Sequence, residues 1–79
     1  MDREPTFGEK AVGLNFNPSG DKRVTKVKQL YAEIIDIMHD ERRTDGSDKD
    51  PEVNRLCSVA ITEAQGAQMW AVKALTLGK

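Results

Sequence analysis

The sequence predicts an all-α fold: one domain over 1–79, an antiparallel helical hairpin with an irregular N-terminal arm, assembling into a homo-oligomer. Three observations predict it. Two long segments, 21–43 and 51–76, carry apolar residues at three- and four-residue steps. A short polar break rich in Asp, Gly and Ser, 44–49, lies between them, so the second helix folds back on the first. The last helix is apolar on more than one face, which a single partner helix cannot cover.

The arm, 1–20, comes first. Residues 1–10 are polar and read as loose, with Phe7 the only large apolar side chain, either packed on the body or a tail residue. Residues 11–20, AVGLNFNPSG, hold the turn dipeptides Asn-Pro and Ser-Gly and read as a loop. Val12, Leu14 and Phe16 alternate, so a short extended piece is expected there, without a second strand to pair with it. Asp21, or Ser19 before it, caps helix one. Val24, Val27, Leu30, Tyr31, Ile34, Ile35 and Met38 form its apolar face, and Ile37 lies off that face. Asp50 caps helix two, with Pro51 at its first position. On this helix Val53, Leu56, Ala60, Ala64, Ala67, Ala71 and Ala74 fall on one stripe, small enough for close approach of a backbone. Val59, Ile61, Met69, Trp70, Val72 and Leu75 point elsewhere.

Size supports the oligomer independently. At 79 residues the chain holds one core, and such a core rarely supplies more than about 3–5 kcal/mol. The single cysteine, Cys57, excludes an internal disulfide, and the single histidine, His39, argues against structural zinc. Cys57 reads as a small buried packing residue and His39 as a surface one. The acids Asp45, Asp48 and Asp50 lack calcium-loop spacing. Twelve basic and thirteen acidic residues nearly cancel, which disfavours a nucleic-acid coat or a membrane-surface protein. With no apolar run of about 18 residues and no secretory signal at the N-terminus, a soluble intracellular protein is expected.

The charges are nonetheless uneven. Lys22, Arg23, Lys26 and Lys28 follow one another without an acid. At about 1.5 Å per residue, the hairpin brings Lys73 and Thr76 level with the start of helix one, where Lys79 also collects. Cations at a helix N-terminus oppose a preference for anions of roughly 0.3–1 kcal/mol each, and a bound phosphate relieves this. A solvated basic face balanced by a neighbouring subunit's acids explains the same run. Phe16, held between Asn15 and Asn17 before Pro18, suits base stacking beside cations, or equally a plug for the hairpin end. Trp70 can stack on a base, although a tryptophan on a helix packed from two sides is more often core. With no Ser/His/Asp set, paired catalytic carboxylates or phosphate-loop glycines, binding is favoured over catalysis. An oligomerisation module without ligand and a small nucleic-acid-binding regulator stand as alternatives.

The loop VGLNFNPSGD, the helix start VTKVKQLYAEIID and the final helix ITEAQGAQMWAVKALT together resemble the phage anti-CBASS protein 2 family. That family shares its hairpin with the Thoeris anti-defence protein 1 group, and the resemblance covers roughly 12–76. It implies a non-enzymatic sponge in the cytoplasm of an infected bacterial host. The sponge sequesters cyclic oligonucleotide messengers without cutting them, needs no cofactor, and contacts neither membrane nor DNA or RNA polymer. It implies homohexamers with pockets between chains, separate for cyclic dinucleotides and cyclic trinucleotides. By resemblance Phe16 takes the place of an aromatic, often tyrosine, that meets a nucleobase. Lys28, and less closely Lys26, matches a lysine that meets phosphate. Lys73 and Thr76 are the candidates for the second kind of pocket. Asn15, Asn17 and Ser19 are expected to hydrogen-bond base edges or phosphate.

Overall fold

A computed structural model of the chain describes residues 3–43 and 50–78. The turn expected at 44–49 and Lys79 of the basic end lie outside the described residues. Among the described residues three helices follow in order: α1 (Phe7–Val12), α2 (Lys22–Arg43) and α3 (Pro51–Thr76).

α1 corrects the reading of 1–20 as wholly irregular, and it replaces the extended piece expected near Val12. Its start is a capping box. The Glu9 N–H donates to Thr6 Oγ1 at 3.0 Å and the Thr6 N–H donates to Glu9 Oε1 at 2.9 Å, so two orphan donors are satisfied reciprocally. Its end is Gly13 in the left-handed region, φ 61°, which lets the Leu14 N–H donate back to the Glu9 carbonyl at 3.0 Å. Six residues are too few to hold a helix in water alone. α1 persists because it docks on α2. The Gly8 N–H donates to Asp36 Oδ1 at 2.7 Å, and the Phe7 ring stacks on His39 at 3.9 Å and 5°. The Arg42 guanidinium stands 5.4 Å from the centre of the Phe7 ring.

α2 and α3 form the hairpin. Asp21 Oδ1 accepts from the Arg23 N–H at 2.8 Å, and Asp50 Oδ1 accepts from the Glu52 N–H at 2.9 Å, with Pro51 opening α3. At one end Arg42 Nη1 donates to Ser58 Oγ at 2.9 Å; at the other, Val24 and Lys28 face Val72 and Thr76. That pairing is antiparallel. Val12, Ala32, Ile35 and Ile61 make the core, bordered by Leu14, Tyr31, Met38 and Ala64.

The seam on α3 differs from the expected alanine stripe. Cys57, Ile61 and Gln68 are buried with Ala64 between them, whereas Leu56, Ala67 and Ala74 are exposed. Alanine recurs on several faces of α3, so spacing alone does not single out the packed one. On α2, Val24, Ala32 and Ile35 are buried but Leu30 and Ile34 are exposed, as is Ile37. The hairpin therefore leaves apolar side chains of both helices, Leu30, Ile34 and Ile37 with Leu56, Val59 and Trp70, in solvent. Among the described residues no helix is long and apolar enough to cross a membrane.

Gly8 is where α1 meets the α2 backbone. A methyl there would overlap the Ala32 carbonyl and crowd the Asp36 carboxylate. Gly8→Ala should therefore lower stability by about 1–3 kcal/mol, as overpacking does. The sign is diagnostic in a thermal melt, because an undocked α1 would gain roughly 1 kcal/mol from the better helix former.

Candidate ligand site at the open end of the hairpin

The loop between α1 and α2 is built by its own side chains. Asn17, Pro18, Ser19 and Gly20 form a β-turn closed by the Gly20 N–H donating to the Asn17 carbonyl at 3.2 Å. Proline in its second place and glycine in its fourth suit that turn. Asn17 Nδ2 donates to the Asp21 carbonyl at 2.9 Å and to Thr25 Oγ1 at 3.1 Å. Ser19 Oγ donates to Asn17 Oδ1 at 2.7 Å and accepts from the Asp21 N–H at 3.1 Å. Asn17 and Ser19 thus spend their polar atoms on the loop, a role the expectation of ligand contacts did not foresee.

Lys28 ties this loop to the hairpin. Its Nζ donates to the Gly13 carbonyl at 3.0 Å and to the Phe16 carbonyl, and it stands 5.5 Å from the centre of the Phe16 ring. The residue is only 5% exposed. Burial pulls its pKa below the ordinary lysine value. An ammonium taken out of water is costly unless paired, and among the described residues it meets carbonyl dipoles but no anion. One of its three N–H donors remains.

Phe16 is the opposite case. Its backbone is fixed, the N–H donating to the Gly13 carbonyl at 2.9 Å, yet the residue is 70% exposed. It does not plug the hairpin. It borders two voids. The smaller, about 190 Å³, lies between the loop and the helices, with Pro18, Ser19, Val24, Lys28, Val72 and Thr76 around it. The larger, about 1040 Å³, is an open groove against α1 that reaches Asn15, Lys10 and Arg3.

The structure thus brings Phe16, Asn17, Pro18, Ser19, Lys28 and Thr76 together around the smaller cavity and places Asn15 at the larger groove. Lys26, Trp70 and Lys73 are exposed and line neither void. Thr76, matched by resemblance to a second kind of pocket, lines the same cavity as Lys28, its hydroxyl donating to the Val72 carbonyl at 2.8 Å. Sequence reasoning missed Val24 and Val72 as cavity walls. It also missed the α1 side of the groove, for which the Thr6–Glu9 capping pattern was the available signal. Of the basic run, Arg23 pairs with Asp21 at 2.9 Å, which raises its pKa above the ordinary arginine value. Among the described residues no cluster of His, Cys, Asp and Glu is arranged to hold a metal ion.

A family model described as Acb2/Tad1, hairpin domain, matches residues 9–76. The chain belongs to the Acb2/Tad1 hairpin family. No curated protein matches it, and no solved structure does. The Acb2/Tad1 match includes the Phe16 loop, Lys28 and the whole cavity, while Arg3, Pro5 and the first residues of α1 precede it.

Lys28→Met keeps the aliphatic packing and removes both hydrogen bonds to the loop. Hydrogen exchange at the Phe16 and Gly20 amides should then speed up while the α2 and α3 amides keep their protection; unchanged loop amides would show that Lys28 does not hold the loop. The pH dependence has a defined sign. The folded pKa of Lys28 is depressed, so the cost of its buried charge is fully present below that pKa and fades as pH rises through it. Parent minus Lys28→Met stability should accordingly increase on the alkaline side.

Proposed function

We propose that this chain is a non-enzymatic phage sponge that binds and sequesters cyclic oligonucleotide messengers, cyclic dinucleotides and also cyclic trinucleotides, and so blocks CBASS signalling in the host cytoplasm. Membership in the anti-defence hairpin family supports the class. The observation that carries the ligand is Lys28, a buried ammonium with no anionic partner among the described residues, facing a cavity beside an exposed aromatic ring. A phosphate in that cavity supplies the missing charge, and the remaining Lys28 N–H donates to it in a charge-assisted hydrogen bond. The Phe16 ring offers a stacking surface, worth about 1–3 kcal/mol per base in proteins that use it.

Size divides the ligand between surfaces. Pockets for small molecules measure roughly 300–1,000 Å³, so about 190 Å³ takes a phosphate group and not a whole cyclic dinucleotide. The sugars and bases lie outside it, against Phe16 and against whatever faces that ring in the assembly. Lys26 and Lys73, which stand on the surface, are placed to meet further phosphates or a neighbouring chain's ligand.

The assembly we propose is a homohexamer. Leu30, Ile34, Ile37, Leu56, Val59 and Trp70 are each exposed, and covering them in an assembly removes apolar surface from water. Trp70 belongs on this reading to the subunit interface, not to the ligand. Ile34→Glu and Trp70→Glu should each shift the chain toward monomers in sedimentation, with helicity retained in circular dichroism. Retention of the parent's oligomeric state in both would place the interface elsewhere.

Isothermal titration against a panel of cyclic di- and trinucleotides, with a linear dinucleotide as control, tests the function. The sponge requires binding of at least one cyclic ligand, a silent linear control, and intact ligand recovered after heat denaturation. Silence from a folded oligomer would make the chain an oligomerisation module. Binding that extends to linear nucleic acid and falls steeply with salt would make it a nucleic-acid regulator.

A further inference from the structure

We infer that the groove between α1 and the Phe16 loop is a nucleobase subsite, and that Arg3 and Lys10 make it prefer a base with a carbonyl edge, guanine above adenine. The inference rests on the proposed capture of cyclic nucleotides. The groove, about 1040 Å³, has room for a nucleoside and is bordered by Arg3, Pro5, Glu9, Lys10, Asn15 and Phe16. It meets the Lys28 cavity at Phe16. Lys28 occupies one side of the ring, at 5.5 Å from its centre, and the ring is otherwise open. A ligand with a phosphate beside Lys28 therefore has its base directed to the groove side of Phe16.

Size and burial sort the two voids. The cavity holds the buried Lys28 ammonium, which has no anionic partner among the described residues, whereas the groove carries the Glu9 carboxylate, which Arg3 grips with two hydrogen bonds. That pair holds the Glu9 carboxyl below its ordinary pKa, so it stays ionised. A phosphate gains from the buried Lys28 ammonium and fits the cavity of about 190 Å³, whereas only the groove of about 1040 Å³ has room for a base. In the groove Glu9 offsets the Arg3 charge, and a neutral base needs no compensating charge there.

The donors then set which base. Arg3 spends three of its N–H groups, two on Glu9 and one on the Glu4 carbonyl. Arginine has five, so two remain, and the exposed Lys10 ammonium adds three more. Guanine presents O6 and N7 as adjacent acceptors, while adenine places an amino donor beside N7. Donors on Arg3 and Lys10 match the first and oppose the second. The Asn15 amide, donor and acceptor at once, serves either base. Of the two residues that set this preference, Arg3 precedes the residues matched to the hairpin family and Lys10 lies within them.

The test is calorimetric titration of 3′,3′-cyclic di-GMP and 3′,3′-cyclic di-AMP, at one salt concentration, against the whole chain and its Lys10→Met and Arg3→Gln variants. Thermal melts establish that each variant is folded; Lys10→Met, at an exposed position, keeps the test valid should Arg3→Gln weaken α1. The parent should prefer the guanine ligand, and each folded variant should lose roughly tenfold for it and less than about twofold for the adenine ligand, as loss of one base-directed contact does. Equal losses for both ligands, an unaltered preference, or a parent that favours adenine would overturn the base subsite and leave sequestration standing. A parent silent to both ligands while binding no other cyclic nucleotide would overturn sequestration, and the subsite with it.

Discussion

The interaction on which the open end of this hairpin depends is the Lys28 ammonium held by the carbonyls of Gly13 and Phe16. One contact holds the Gly13 carbonyl at the end of α1 and the other holds the loop at Phe16, so a single buried side chain of α2 ties both to the hairpin. Phe16 is then exposed by construction. Its backbone is locked while its ring is in solvent, an arrangement that hydrophobic burial alone would not produce. Among the described residues the charge that fixes the loop has no anion, and the proposed ligand links to the architecture there: its phosphate would pair with the group that builds the site.

α1 depends on that arrangement from its other side. Its capping box and the Gly13 stop satisfy its ends, but six residues gain stability only by docking, through Gly8 on Asp36 and Phe7 on His39. The helix forms the wall of the groove, so the groove's shape is coupled to packing at Ala32 and Asp36. The exposed apolar faces of α2 and α3 are a separate matter. They touch neither void and point to association, while the open end points to chemistry.

The hairpin was legible in the sequence because its signals are local and repeated: Asp50-Pro51 at the start of α3, Asp21 at the start of α2, and long apolar periods between. The Phe16 loop was legible as a rigid turn because Asn17-Pro18-Ser19-Gly20 can do little else. α1 was not, since one turn and a half carries no period and only Thr6 and Glu9 mark it. The packed face of α3 was misread because alanine spacing is satisfied on several faces, and the face that wins is decided by Ile35 and Ala32 across the seam. Lys28 read as one cation in a basic run. That it is buried, and bonded to backbone carbonyls far earlier in the chain, depends on tertiary geometry that no spacing encodes. Arg3 and Lys10 carried no signal at all.

The most direct measurement is a crystal structure of the chain with a bound cyclic dinucleotide. The account predicts a phosphate oxygen within hydrogen-bonding distance of Lys28 Nζ, a base stacked on the open face of Phe16, and the Gly13 and Phe16 carbonyls still on Lys28. A ligand bound without contact to Lys28 and Phe16, with the cavity left unfilled, would contradict it.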